Sequence, residues 1–261
     1  MHNHHIQQDN GSDMVFLSVL PFIVAILCYI LAAILTNRHY KTWPLSRIIY
    51  WTLGIIAITT AVIGPLAALS HTNFIAHMTG HLLLGMLGPL LIALAAPMTL
   101  LFRSLNVRAA RLISSLLKSG PVRFFTDPFV ATVLNIGGLW LLYTTGLYTI
   151  MHQNSLVFVL VHIHIFLAGY LYTISLIYID PISHRTSFIY RATMLILSLA
   201  AHGILSKYLY ANPPEGIPAL QAETGSMLMF YGGDIIDAVL IIIFCYQWFK
   251  ISKPKNETVL S

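Results

Sequence analysis

Residues 74–102 read FIAHMTGHLLLGMLGPLLIALAAPMTLLF, a stretch without a single Asp, Glu, Lys or Arg. A helix that crosses a bilayer takes about 20 mostly apolar residues, so this run is long enough to span with some to spare. Its ionisable groups are His77 and His81, four residues apart on one helix face and both near its start. Reading outward, six further runs of the same kind occur, so that the expected spans are 14–35, 46–66, 74–102, 129–150, 155–178, 188–209 and 226–249. The composition agrees: 57% of the 261 residues are hydrophobic and 9% charged, against roughly 25% charged in a soluble chain. The expectation is an all-α polytopic membrane protein of seven transmembrane helices. Residues 1–13 form a His-rich N-terminal tail, 14–250 the membrane domain and 251–261 a C-terminal tail.

The net charge of +5 raises the question of nucleic acid, and the positions of the basic residues answer it. Arg38, Lys41 and Arg47 follow the first run; Arg103, Arg108, Arg111, Lys118 and Arg123 the third; Arg185 and Arg191 the fifth; Lys250, Lys253 and Lys255 the seventh. All but Lys207 of the 14 Lys and Arg therefore fall on one side. By the positive-inside rule that side is cytoplasmic, the N-terminus is outside and the C-terminus cytoplasmic. The charge reads as topology and attraction to the lipid bilayer, not nucleic acid. The first run has no Lys or Arg before it and is too long for the apolar part of a cleaved signal, so it reads as a retained helix. Between the third and fourth runs, RSLNVRAARLISSLLKSG alternates apolar and basic residues at the spacing of an amphipathic helix on the inner leaflet. The loop 210–225, with three prolines and two glycines, reads as an irregular cap. Cys28 and Cys245 lie in separate runs without a CxxC pattern and read as small core residues.

Ionisable groups within spans are costly and mark candidate sites. His77 and His81 near the start of the third run, His162 and His164 in the fifth, His202 in the sixth and Asp234 and Asp237 in the seventh all fall at similar depth on the outer side. The inner half is expected to hold nothing comparable. His162 and His164, two residues apart, point about 200° apart; His164 is expected to face the bundle, because the small Ala168 continues its face. Imidazoles and a carboxylate converging at one depth make a candidate site for copper, with zinc as the alternative. Met78, Met151, Met227 and Met229, also near the outer end, favour Cu(I). Bland readings stand beside these. A lone membrane His is commonly a hydrogen-bonded packing residue, methionines are commonly core filler, and His39, His71, His152 and His184 read as loop residues. The MHNHH start either collects metal or is a tail without function.

The run GPLAALSHTNFIAHMTGHLLLGMLGPLLIALAAP at residues 64–97 resembles the signature of the CtaG family of cytochrome c oxidase assembly factors, the integral-membrane kind of Gram-positive bacteria. There an HMxxHLLL motif opens a helix ending near an Ala-Pro pair, here Ala96 and Pro97. DPFVATVLNIGGLWLLYTTGLY is similar to the fourth helix of that family and VHIHIFLAGYLY to the fifth, followed by Ile179-Asp180-Pro181. Gln221, Gly225 and Gly232-Gly233 are similar to its last-helix motif. The resemblance covers roughly residues 50 to 250 and carries metal-site candidates onto His77, His81 and His164. The chain departs from the family pattern at Leu142-Tyr143-Thr144-Thr145, at Ile163 and at Leu220-Gln221, while His202, Asp234 and Asp237 are not family landmarks.

The resemblance implies a non-enzymatic factor in the bacterial cell membrane that helps build the copper site of a haem-copper oxidase. Its partners would be an oxidase subunit and an extracellular copper donor. The alternatives are a zinc-dependent seven-helix hydrolase of lipid amides, for which Asp234 and Asp237 are suited, and a b-haem electron carrier using His81 with His164 or His202.

Overall fold

In the computed structural model, residues 3–182 and 184–252 are described, with side chains from residue 17 on. Every regular element among them is helical. The long helices are α1 (Asn3–Thr36), α2 (Leu45–Val62), α3 (Phe74–Ser104), α4 (Pro128–Thr144), α5 (Leu147–Gln153), α6 (Ser155–Leu176), α7 (Phe188–Ala211) and α8 (Ala219–Ser252). Six of them are long and apolar enough to cross a membrane, and the bent pair α4 and α5, angled at 80°, makes a seventh when taken as one span. The chain is a multi-pass helical membrane protein. Leu27, Ile235 and Ile242 on its flanks are 59%, 70% and 67% exposed, an apolar outer surface that water does not tolerate at this scale.

Helix α3 is the centre. Over half of its apolar window, 56%, is buried, against 17–33% for the other long helices, and it packs against α2, α6 and α8. Small residues permit that closeness, as packing rather than water expulsion must hold helices together in lipid. A Cβ at Gly169 of α6 would collide with the backbone carbonyl of Gly85 in α3, so these two backbones touch directly. The start of α3 is fixed by side chains. Asn73 Oδ1 accepts from Ala76 N at 3.0 Å and Gln221 Oε1, reaching across from α8, accepts from Phe74 N at 3.1 Å.

Further along, α3 breaks at Ala96, whose φ of 55° is left-handed, and restarts on Pro97. Asp180, from the loop after α6, caps that restart, accepting from Met98 N at 3.0 Å, Thr99 N at 2.7 Å and Thr99 Oγ1 at 2.6 Å. Thus the Ala-Pro pair and the Ile-Asp-Pro tripeptide noted in the sequence are two halves of one junction.

Several expectations change in detail. The run 129–150 is broken: Thr144 and Thr145 turn their hydroxyls back onto the carbonyls of Trp140 and Leu141, both at 2.6 Å, which bends helices. Thr145 is extended and α5 departs at a steep angle. Helix α8 begins at Ala219, inside the loop expected to be irregular. Cys28 and Cys245 are exposed on the apolar flank, not in the core. The Lys/Arg-rich half does hold a buried ionisable group: Arg191 of α7 donates from Nη1 to Leu176 O at 2.5 Å and lies over the rings of Tyr178 and Phe244. The amphipathic helix forms as Val107–Leu117, capped by Asn106 and without a buried residue.

Candidate metal centre

Of the six residues picked out as metal ligands, the structure brings the rings of two close together. His81 on α3 and His202 on α7 are buried, with ring centres 6.3 Å apart and planes 28° from parallel. Among the described residues, neither His81 Nδ1 nor His81 Nε2 has a hydrogen-bond partner, and His202 Nε2 has none either. A buried polar atom without a partner costs about 1–3 kcal/mol, so three such nitrogens at one spot are an expensive arrangement for packing alone. The α8 backbone presses on this spot: a Cβ at Gly233 would lie 2.5 Å from His202 Cε1. Just after His81, residues Leu82–Leu87 widen into a π-helical turn, a feature that often accompanies functional positions.

His77, one turn before His81, has a different environment. Its Nε2 is hydrogen-bonded to Tyr143 Oη at 2.9 Å, and its ring packs edge-on against Tyr148 at 5.1 Å between centres. The ring of His152, from α5, lies 5.9 Å from it.

The remaining candidates are dispersed. His164 was expected to face the bundle; it is exposed, and its Nε2 donates to Leu134 O in α4 at 3.1 Å. Ile165 stands beside His81 instead, touching the same glycine, Gly85. The buried stripe of α6 runs through Ile165, Ala168, Gly169 and Tyr172, and the 40° offset between His164 and Ala168 is enough to leave the histidine outside it. His162 bonds its own turn through Nδ1 to Phe158 O at 2.8 Å and stacks on Phe158. Asp234 is exposed while Asp237 is buried, because the 60° between positions i and i+3 straddles the edge of the α8 interface. Asp237 lines a small cavity with Gly85, Asn135 and Tyr172. Met78, Met151 and Met229 are core residues; Met227 is exposed. The MHNHH start falls outside the residues whose side chains are described.

Among the described residues, then, three or more His, Cys, Asp or Glu side chains do not close on one point as a ready cage. The arrangement offers a two-imidazole pair. With a metal–nitrogen bond of about 2.0 Å and roughly 1.1 Å from ring nitrogen to ring centre, two imidazoles in line on one ion have centres about 6 Å apart. The His81–His202 separation of 6.3 Å matches. Two ligands in line suit Cu(I), whereas zinc takes four ligands and keeps three protein donors even in catalytic sites. Sequence reasoning missed His71, His152, Tyr143 and Tyr148 around His77. The signal was the Thr-Thr-Gly triplet at 144–146, which breaks the span and folds α5 back over His77.

A bundle of apolar helices that carries buried imidazoles on two of its membrane-spanning helices defines a multi-pass helical membrane protein. Comparison with known proteins gives the family: residues 27–250 match that of the cytochrome c oxidase caa3 assembly factors, and the chain belongs to it. It is similar to an uncharacterised protein of Mycobacterium leprae, 25% identical over 187 residues, which are 69% of this chain and 28% of that one. It is likewise similar to an uncharacterised protein of Mycobacterium tuberculosis, 28% identical over 173 residues, 64% of this chain and 26% of that one. The chain thus spans little more than a quarter of the length of these curated relatives. No solved structure matches it.

Proposed function

We propose that this protein assists the assembly of a haem-copper cytochrome c oxidase by holding Cu(I) between His81 and His202 and passing it laterally to an oxidase subunit in the same membrane. The observation that carries the reading is the burial of both His81 ring nitrogens and of His202 Nε2 without a protein partner. Family membership supports the assembly role. The sequence pattern, in which all but one Lys and Arg follow the odd-numbered runs, supports an outward-facing copper end, with the N-terminus outside and the C-terminus in the cytoplasm. Holding the ion within the membrane at the depth of a buried oxidase site spares it a passage through hydrocarbon as bare charge. Asp237 and His77 flank the pair along the bundle, and an extracellular donor would supply the ion.

The test is made in cells lacking the native chain, complemented with wild type or with His81→Ala/His202→Ala, by measuring copper per haem in the purified oxidase. The variant is expected to yield oxidase subunits at normal abundance but deficient in copper. Full copper loading by the variant would refute the reading. Zinc bound in place of copper, with fatty acid released from lipid amides, would point to the hydrolase, and a Soret band to the haem carrier.

A further inference from the structure

A second cluster of imidazoles lies between the copper pair and the aqueous end of the bundle. A cavity of about 420 Å³ opens there, lined by His71, His152 and Glu215 and floored by Phe74 and Tyr148. The last two are the rings that pack on His77. His71 comes from the loop before α3, His152 from α5 and Glu215 from the loop before α8, so three separate segments converge on it. His71 and Glu215 are exposed, His152 is half-buried and His77 is buried. Accessibility to water thus falls step by step along the row.

Distances along the row are nearly constant. The ring centres of His71 and His152 are 6.0 Å apart with planes 83° from parallel, and those of His152 and His77 5.9 Å apart at 54°, so each imidazole is within one ring contact of the next. His152 is also held in the state a ligand needs. Its Nδ1–H donates to Tyr148 O at 3.0 Å, which leaves Nε2 with its lone pair, the arrangement by which backbone carbonyls orient metal-binding histidines. The 80° bend between α4 and α5 is what places His152 over His77; a straight span would carry it away.

We infer that His71 and His152 form an entry site for Cu(I), and that His152 relays the ion inward to His77. The inference rests on the reading of the protein as a copper carrier but assigns a separate site. Each step exchanges one bond: the bond to His71 breaks as the bond to His77 forms, while His152 stays attached. The ion remains Cu(I) throughout, so electrons are neither gained nor lost. From His77 the next imidazole on the same face of α3 is His81, one turn on, and beyond it His202.

The test is a Cu(I) count by mass spectrometry on the detergent-purified full chain carrying His2→Ala, His4→Ala and His5→Ala, so that the N-terminal histidines add nothing. Two ions per chain are expected. Adding His71→Ala/His152→Ala is expected to remove one, adding His81→Ala/His202→Ala to remove the other, and His152→Gln, which keeps a polar side chain of similar size, to act as the first pair does. A count unchanged by His71→Ala/His152→Ala overturns the entry site. One ion lost with His81 and His202 alone also overturns it while sparing the deep pair. One ion lost with His71 and His152 alone upholds the entry site and refutes the deep one, and a chain that binds no copper refutes both.

Discussion

Replacing His81 by leucine should make the metal-free protein more stable. In the native chain both ring nitrogens of His81 are buried without a protein partner, and the residue is 5% exposed. Leucine fills a similar volume without polar atoms, so His81→Leu removes an unpaired donor and an unpaired acceptor and breaks no hydrogen bond that His81 makes through its ring. At about 1–3 kcal/mol for an unsatisfied buried group, and roughly 2–4 °C per kcal/mol for a chain of this size, the Tm rises by between about 2 and 12 °C. The assay is thermal unfolding in detergent, without metal and with Cu(I) buffered at a hundred times its Kd. There a site filled at that level stabilises by about 2.7 kcal/mol through mass action, and His81→Leu, compared with wild type in a His71→Ala/His152→Ala background that also lacks the N-terminal histidines, loses that gain. A fall in metal-free Tm on His81→Leu would show that the imidazole is a packing group with an unseen partner, and the reasoning from orphaned nitrogens would fail.

Further outcomes follow from single contacts. Gly233→Ala sets a methyl 2.5 Å from His202 Cε1; the ring must move, and Cu(I) affinity should drop at least tenfold in a competition titration while the far-ultraviolet helix signal stays. Tyr143→Phe deletes the buried bond to His77 and should lower stability by about 1 kcal/mol, read as a lower Tm, with the copper count unchanged. Asp180→Ala uncaps the restart of α3 at Pro97 by removing three accepted bonds, so stability should fall by about 1–2 kcal/mol, with faster proteolysis near residues 96–99.

The membrane class and the number of spans were legible because apolar runs of some 20 residues admit few other readings. The pairing of His81 was partly legible. The HxxxH spacing put His77 and His81 on one face, yet the structure gives them different neighbours, Tyr143 for one and His202 for the other. His202 was found from its depth alone. His164 was misplaced because helical periodicity tells which residues share a face but not where the buried stripe ends, and a 40° offset decides between interior and lipid. His71 reads from the sequence as a loop residue because it lies between two apolar runs, and His152 because the run 129–150 continues across Thr145 and Gly146, whereas the bend there arises from hydroxyls bonding backward, which hydropathy does not register. Arg191, at the start of the expected span 188–209, reads from the sequence as one of the basic residues flanking the membrane, while the chain tucks it against Tyr178 and Phe244.

The most direct measurement is copper K-edge X-ray absorption on the purified protein carrying His71→Ala/His152→Ala and lacking the N-terminal histidines, loaded with one equivalent of Cu(I), with and without His81→Ala/His202→Ala. The spectrum expected with His81 and His202 present is that of a two-coordinate Cu(I) ion with imidazole nitrogens at about 2 Å, and it should be lost when both are replaced. A sulfur-dominated or four-coordinate spectrum, or one identical in the variant, would contradict a copper site built on His81 and His202.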